Sequence, residues 1–310
     1  MKILVTGASG LVGYHVIQNA LRRGHEVIAH TRGDDALLSS VKSVKTFTAD
    51  LSNLDRATQI FLDHFPEAIV NAAAASSPAK VEADPEHAEV LNVQLPERLA
   101  EIANHLSAQL IHFSTDMVFN GFRQRGPYLT SDAPDPQTKY GQQKMKGEKA
   151  ALEAGGYHVT VLRIPIQLGN SPRGQRSVHE NLLQQLADGK TPELFTDEIR
   201  QPCQADNTAE VCVELLERGN LHGIFHWGGA ETLSRYEMGV QLMDLFGLPR
   251  EWIKAARAEG HPEHARRPRN LTLDLHPLSN KLRTQPQPYE QQLEDLSIPQ
   301  HLREWYHQLQ

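Results

Sequence analysis

A tyrosine and a lysine lie four residues apart in the segment KYGQQK, residues 139–144. On an α-helix these two positions share one face, so Tyr140 and Lys144 can point at the same small molecule. A phenol has a pKa of about 10 in water, and a neighbouring ammonium group lowers that pKa by favouring the phenolate. The pair therefore indicates proton transfer to or from an oxygen atom. The same spacing is also common on the solvated face of an ordinary helix.

Two hydroxyl-bearing residues, Ser114 and Thr115, end the strand pattern AQLIHFSTD (108–116) that precedes this helix. At the tip of the strand, Thr115 can hydrogen-bond a substrate oxygen while Tyr140 exchanges a proton with it. Lys144 can bind the ribose of a nicotinamide cofactor, which carries the hydride. We therefore predict Thr115, Tyr140 and Lys144 as the catalytic residues of an oxidoreductase.

A glycine-rich turn follows the first apolar strand, KILVT (2–6), and precedes a helical pattern. Gly7, Gly10 and Gly13 give the spacing G-x-x-G-x-x-G. A strand-to-helix turn directs backbone N–H groups and the positive end of the helix dipole at a phosphate. Glycine is required there because a Cβ atom would hold the backbone away from a pyrophosphate. The turn predicts a dinucleotide site, although a tight structural turn would use the same residues.

The end of the second strand bears on the choice of cofactor. In the segment AHTRGDD (29–35), Arg32 precedes the acidic residues Asp34 and Asp35. An arginine at this place accommodates the 2′-phosphate of NADP, whereas a carboxylate binds the ribose 2′-hydroxyl of NAD. We expect NADP(H), with NAD(H) as the alternative. Arg32 is also compatible with an ordinary exposed loop.

Strands alternate with helices over the first half of the chain, which is typical of parallel sheets with right-handed crossovers. We predict an α/β fold with a Rossmann-type, doubly wound parallel sheet and a smaller C-terminal substrate-binding unit. The NADP-binding domain is expected at 1–165, with 204–228 returning to it. The smaller unit is expected at 166–203 and 229–310. Further helices are expected at 177–188, 206–218 and 234–246.

Composition narrows the function classes. The 310 residues carry a net charge of −7, which disfavours nucleic-acid binding. The two cysteines, Cys203 and Cys212, have neither metal-site nor disulfide spacing, and the sixteen histidines show no convincing ligand pattern. Apolar runs are too short for a signal peptide or a membrane span. We expect a cytoplasmic protein without a metal site, a nucleic-acid partner or a membrane partner.

Taken together, the motifs GASGLVG, NAAA, STDMVF, YGQQK and LRIP resemble the extended short-chain dehydrogenase/reductase superfamily. Within it, VNAAA, STDMVFNG and GPYLTSDAPDPQTKYGQQKMKGEKA are similar to the dTDP-4-dehydrorhamnose reductase family. The later motifs LRIPI, GIFHWGG, RYEMG and RRPRN resemble a related branch, the regulatory beta subunit of methionine adenosyltransferase.

The resemblance implies a reductase of a keto group on a nucleotide sugar, with Tyr140 as proton donor. It also implies a set of cofactor contacts and two substrate contacts. The cofactor residues are Gly7, Ser9, Gly10, Leu11, Val12, Gly13, Arg32, Asp50, Leu51, Ala72, Ala73, Ala74, Asn92, Ser114, Tyr140, Lys144 and Pro165. The substrate contacts are Met117 and Val118.

One departure from the reductases weakens this implication. They usually carry a tryptophan shortly after the arginine of the sixth strand, where this chain has Ile166. An NADP-binding regulatory or partner protein without turnover is therefore the alternative function. A homodimer or a complex with a regulated protein is compatible with either function.

A nucleotide-sugar substrate would require cations for its diphosphate. The C-terminal part offers a set of arginines, of which Arg200 and Arg267 are the preferred candidates. The remaining members are Arg173, Arg176, Arg266 and Arg269. Surface ion pairs are the alternative role for all of them.

Overall fold

The computed structural model describes residues 1–33, 38, 41, 43–122, 126–261 and 267–309. The strands are β1 Lys2–Thr6, β2 Glu26–Thr31, β3 Val44–Thr48, β4 Ala68–Asn71, β5 Gln109–Thr115, β6 Val159–Ile164, β7 Gln167–Leu168, β8 Glu193–Phe195, β9 Ile199–Arg200, β10 Cys203–Gln204, β11 Gly223–His226, β12 Leu233–Ser234 and β13 Lys254–Ala256. The helices are α1 Leu11–Arg22, α2 Leu54–His64, α3 Pro78–Ala83, α4 Pro85–Glu89, α5 Leu95–Leu106, α6 Lys139–Gly155, α7 Val178–Ala187, α8 Ala205–Arg218, α9 Arg235–Leu245, α10 His276–Ser279, α11 Tyr289–Leu293 and α12 Arg303–His307.

Seven strands form one parallel sheet in the order β11-β6-β5-β4-β1-β2-β3. The order reverses between β1 and β4, which makes their carboxyl ends the place where ligands bind in such sheets. The register sets Thr6 beside Asn71 and Asn71 beside His112. The predicted Rossmann-type, doubly wound fold is confirmed.

Helices cover both faces of the sheet because its central strands are apolar on both sides. On one face, Val16 and Ile17 of α1 pack with Leu215 of α8. On the other, Phe61 of α2 and Leu99 of α5 pack over the strands. Burying each such side chain contributes about 1.5–3 kcal/mol, so the two apolar layers fix the strand ends in place.

The helical segment from α4 to α5 contains a π-helical turn at Val90–Gln94, where the sequence indicates one long helix. Pro96 has no N–H group and cannot donate to the carbonyl of Asn92. A Cβ atom at Gly147 of α6 would collide with that carbonyl oxygen. The widened turn and the glycine together let α6 pack closely against this segment.

The C-terminal part has its own apolar cluster, which includes Leu182 of α7, Leu242 of α9 and Tyr289 of α11. Helices α7, α8 and α9 lie where the sequence predicts them. Segment 204–226 joins the sheet, since β11 pairs with β6 and α8 packs against α1. The exact division of the chain into 1–165 and a smaller unit stays a prediction.

Candidate active site

A cleft of about 910 Å³ runs along the carboxyl ends of the central strands and continues under α7 and α9. Nearly all the sequence-predicted site residues line it. They are Gly7, Ser9, Gly10, Leu11, Val12, Gly13, Arg32, Asp50, Leu51, Ala72, Ala73, Ala74, Ser114, Thr115, Met117, Tyr140, Lys144, Pro165, Arg200 and Arg267.

Asn92 and Val118 do not line the cleft. Asn92 is fully buried, and its amide oxygen accepts from the Ala75 N–H at 3.0 Å while its nitrogen donates to Gln143 Oε1 at 3.1 Å. It therefore holds the loop after β4 from behind. Val118 packs in an apolar cluster with Phe119. Met117, by contrast, reaches the cleft.

The glycine turn has the geometry that a phosphate site requires. Gly7 has φ +63°, and a Cβ atom there would lie 2.6 Å from the carbonyl oxygen of Ala72. The turn closes with Gly10 N–H donating to the Gly7 carbonyl at 2.9 Å. Gly10 then begins α1 without a side-chain cap. The first N–H groups of α1 are thus available to an anion in the cleft.

Arg32 lies at the rim of the cleft beyond β2, near Asp50. Hydrogen bonds from the Ser52 N–H and hydroxyl, followed by smaller charge effects that include Arg32, lower the pKa of Asp50. Asp34 and Asp35 lie outside the described residues. The chain therefore places a cation directly after the second strand.

The catalytic candidates come from two neighbouring elements. Thr115 ends β5, and its hydroxyl accepts from the Met117 N–H at 3.2 Å. Thr138 caps α6 by accepting from the Gly141 N–H at 3.1 Å, which starts the helix so that Tyr140 lies in its first turn. Lys144 follows one turn later and is 2% exposed.

The phenol of Tyr140 does not have the lowered pKa that Lys144 was expected to produce. Burial, with the nearby Asp116 carboxylate, raises the pKa of Tyr140 to about 12, although a hydrogen bond with Thr115 opposes this. Burial lowers the pKa of Lys144 to about 8. Tyr140 is therefore a neutral phenol at physiological pH.

Four buried polar atoms that lack a hydrogen-bond partner within the described residues belong to side chains that line the cleft. They are His30 Nδ1, Ser114 Oγ, Asp116 Oδ2 and Arg235 Nη1. Buried polar atoms are paired in the great majority of cases, so a cluster of exceptions at one cleft indicates atoms that await a ligand.

Asp116 is the first functional candidate that sequence reasoning missed. It follows Thr115 and is 3% exposed. Burial raises the pKa of its carboxyl to about 6, against the attraction of Arg200. It belongs to the motif STDMVF and lies directly after a strand, so its position alone was a usable signal.

The two preferred arginines differ in their surroundings. Arg200 is 5% exposed and is already engaged, because it pairs with Glu198 at 2.8 Å and donates to the carbonyls of Ile199, Pro268 and Arg269. Arg267 is half-exposed and reaches Glu198 at 3.3 Å. Arg200 is thus mainly part of the framework, while Arg267 can exchange its partner.

The other arginines of the predicted set are dispersed. Arg176 lines the cleft, whereas Arg173 lines a separate groove with His301. Arg269 forms an ion pair with Asp197 at 3.3 Å. Arg266 lies outside the described residues. The set is therefore not a single cluster.

Arg235 is the second candidate that sequence reasoning missed. It is the first residue of α9, whose start is fixed by the reciprocal hydrogen bonds of Ser234 and Glu237. Its N–H donates to the Glu198 carbonyl, but its side-chain Nη1 has no partner in the described part of the chain. The S-x-x-E capping pattern at 234–237 could have located this helix start.

A model of one protein family, described as the RmlD substrate binding domain, matches residues 1–300. The chain belongs to this family. Solved structures share the fold of this chain. One is a dTDP-4-dehydrorhamnose reductase from Bacillus anthracis in complex with NADP, which is 19% identical, with a TM-score of 0.79 over 94% of this chain and 96% of that one.

Two sequence relatives of this RmlD-family chain carry different names. Methionine adenosyltransferase 2 subunit beta from Bos taurus is 32% identical over 88% of this chain and 80% of its own length. A protein from Haloferax volcanii named as a probable low-salt glycan biosynthesis reductase, Agl14, is 28% identical over 91% of this chain and 92% of its own. The first is named as a subunit and the other as a reductase.

No group of histidine, cysteine or acidic residues in the described ranges is arranged to hold a metal ion. Across those same ranges, no helix combines the length and the apolar character needed to cross a membrane.

Proposed function

We propose that the protein is an NADP(H)-dependent reductase that acts on a keto group of a nucleotide sugar. The observation that carries the proposal is the common cleft: the glycine turn, Thr115, Tyr140 and Lys144 all line it. A proton donor and a dinucleotide site in one cleft are what carbonyl reduction requires.

The cofactor site fits the residues present. The cradle at Gly7 would be filled by a Cβ atom, and the N-terminus of α1 offers N–H groups to a pyrophosphate. Arg32 would bind a 2′-phosphate, which favours NADP over NAD. When bound, the cofactor supplies the hydride.

The protein side chains handle the proton. Thr115 and Tyr140 would both hydrogen-bond the carbonyl oxygen of the substrate, and Tyr140 would give its phenolic proton to that oxygen. Lys144 lies one helical turn from Tyr140 and would bind the cofactor ribose as well as support the phenolate. The neutral state of Tyr140 suits reduction, because the donor must arrive protonated.

The far side of the cleft would hold the diphosphate of the substrate. Arg176, Arg200, Arg235 and Arg267 line it together with Glu198, and Asp116 of the same cleft is attracted by Arg200. Among the described residues, these four guanidinium groups outnumber the two carboxylates, which gives an excess of positive charge. Arg235 and Arg267 are the residues we expect to contact the phosphates, and Arg200 supports them.

The experiment is a panel of 4-keto and other keto nucleotide sugars offered with NADPH, with loss of the reduced-nicotinamide absorbance as the readout. Turnover of at least one compound, dependent on Tyr140, is expected. If nucleoside diphosphates and NADPH both bind and no compound in the panel is reduced, the reductase proposal fails.

A second function is favoured by the relationship to methionine adenosyltransferase 2 subunit beta. In that case the chain would be an NADP-binding partner of another protein. Ile166 lines the cleft where the reductases carry tryptophan, which is compatible with a lost sugar platform. Retention of a second protein in an NADP-dependent manner, with no binding of nucleoside diphosphates at millimolar concentration, would favour this function.

A further inference from the structure

A row of buried polar side chains crosses the sheet next to the cleft. Thr6, Asn71 and His112 occupy neighbouring register positions on β1, β4 and β5. None is more than 1% exposed, and Lys144 of α6 continues the row at 2% exposed. Polar groups this deeply buried are costly unless they are hydrogen-bonded, so their hydrogen bonds fix their chemical states.

The direction of the hydrogen bonds determines which nitrogen of His112 carries a proton. The Ala73 N–H donates to the Thr6 hydroxyl at 3.1 Å, and that hydroxyl donates to Asn71 Oδ1 at 2.7 Å. Asn71 therefore presents its Nδ2 group to His112 Nδ1, at 3.0 Å. An amide nitrogen only donates, so Nδ1 accepts and the neutral imidazole carries its proton on Nε2.

The Nε2 atom of His112 lies 3.3 Å from Lys144 Nζ. Lys144 also donates to the Phe113 carbonyl at 2.7 Å. If Lys144 is an ammonium group, the imidazole N–H faces another donor and no hydrogen bond forms between them. If Lys144 is a neutral amine, the imidazole N–H can donate to the lone pair of Nζ. Burial lowers the pKa of His112 well below its usual value, which keeps the ring neutral.

We propose that His112 is a positioning residue for Lys144 and that it stabilises the uncharged amine through the hydrogen-bond chain that begins at Thr6. Under the proposed function, the Tyr140 hydroxyl gives its proton to the carbonyl oxygen. Lys144 then gives a proton to the phenolate oxygen, and the lone pair left on Nζ accepts the Nε2–H of His112. This proton transfer rests on the proposed function, but the protonation states of the hydrogen-bonded side chains do not.

A charged neighbour of Lys144, Glu148, opposes this effect. Glu148 lies one turn later on the same helix and favours the ammonium form. Its carboxylate is shared with Arg163 at 2.7 Å, which weakens its pull. Tyr140 lies one turn earlier on α6 and is neutral at physiological pH, while Asp116 acts on Tyr140. His112 is the neighbour from β5.

The first test is the ¹⁵N spectrum of the His112 ring in the wild-type protein without cofactor or substrate. We expect a protonated Nε2 and an unprotonated Nδ1. A ring protonated on Nδ1 would overturn the proposal. The result does not depend on turnover, so an inactive protein would leave it fully interpretable.

The second test is the substitution Asn71→Asp, which reverses the direction of the hydrogen bond to His112. The new carboxylate accepts from both Thr6 and His112. The ring proton should move to Nδ1, and Nε2 should accept from Lys144. The pKa of Lys144, followed by NMR of labelled lysine, should rise by about one unit or more.

Two variants, His112→Gln and His112→Phe, are the controls for the role of His112. Glutamine can accept from Asn71 and donate to Lys144, so it should keep the wild-type pKa of Lys144. In His112→Phe, the effect of Asn71→Asp should fall to less than half. An equal rise of the Lys144 pKa with and without His112 would mean that the added charge acts alone, and the proposal would be wrong.

Discussion

One side of the cleft is made of backbone at the ends of parallel strands, whereas the opposite side is lined by arginine side chains around Glu198. On the first side, Gly7 and the start of α1 form the surface that faces a ligand. On the second, Arg200 is paired with Glu198, and Nη1 of Arg235 has no hydrogen-bond partner among the described residues. The geometry of the backbone side is set by the fold itself. On the arginine side, the availability of each guanidinium group to a ligand depends on whether a carboxylate already binds it.

The largest effect should come from substitution of Tyr140, the proposed proton donor. Tyr140→Phe removes the proton donor and keeps the ring, so turnover should fall by about 10²–10⁴-fold. Cofactor affinity should change little. Steady-state kinetics and NADPH titration would measure both. The control is Tyr157→Phe, since Tyr157 is 84% exposed. Unchanged turnover in Tyr140→Phe would remove the catalytic role.

On the arginine side, two substitutions to methionine, which keep a similar side-chain volume, should separate the role of Arg200 from that of Arg235. Among the described residues, Arg200→Met leaves the half-exposed Arg267 as the ion-pair partner of Glu198. Loss of a buried pair costs about 3–5 kcal/mol of unfolding free energy. Arg235→Met should preserve stability but weaken dTDP binding by about tenfold or more. Chemical unfolding and calorimetric titration in the presence of NADP would separate the two effects.

The matched control for this pair is Arg250→Met, because Arg250 forms an exposed ion pair with Asp244. It should change neither quantity measurably. If Arg235→Met destabilises the fold as much as Arg200→Met does while dTDP binding is unaltered, the assignment of Arg235 to the ligand is wrong.

On the backbone side, one side chain sets the choice of cofactor. Arg32→Ala should reduce NADP affinity by about tenfold or more, and NAD affinity should stay nearly constant. Parallel titrations of the two cofactors would show it, with the exposed Arg56→Ala on α2 as control. Retention of the full NADP preference would contradict the role of Arg32.

The smallest effect concerns pH. The carboxyl of Asp116 has its pKa raised to about 6, above its ordinary value of 3.8. The folded state therefore holds this proton more tightly, and the associated stability is present below pH 4 and lost as the pH rises through about 6. Asp116→Asn should remove this decline. If the free energy of unfolding of the variant falls between pH 4 and pH 7 as steeply as that of the wild type, Asp116 is not the cause of the decline.

The sheet and the backbone side of the cleft could be predicted from sequence because each feature is local. An apolar strand, three spaced glycines and a helix pattern specify the turn at Gly7 without knowledge of distant residues. Tyr140 and Lys144 needed only helical spacing. The widened turn at Val90–Gln94 could not be predicted in this way, because it depends on how closely α6 approaches.

The arginine side could not be predicted in the same way. The role of Arg200 depends on Glu198 and on carbonyls near residue 268, which the fold brings together from distant parts of the chain. The raised pKa of Tyr140 likewise follows from burial and from Asp116, neither of which is visible in the spacing from Lys144. Asn92 was assigned to the cofactor although it supports the loop from behind.

The most direct test of the central claim is a single-turnover reaction with NADPH deuterated at the transferring position and a keto nucleotide sugar. We predict deuterium on the former carbonyl carbon of the product with wild-type protein, and only a trace with Tyr140→Phe. Mass spectrometry of the recovered sugar gives the answer. Bound NADPH and bound nucleotide sugar with no deuterium in the product would contradict the account.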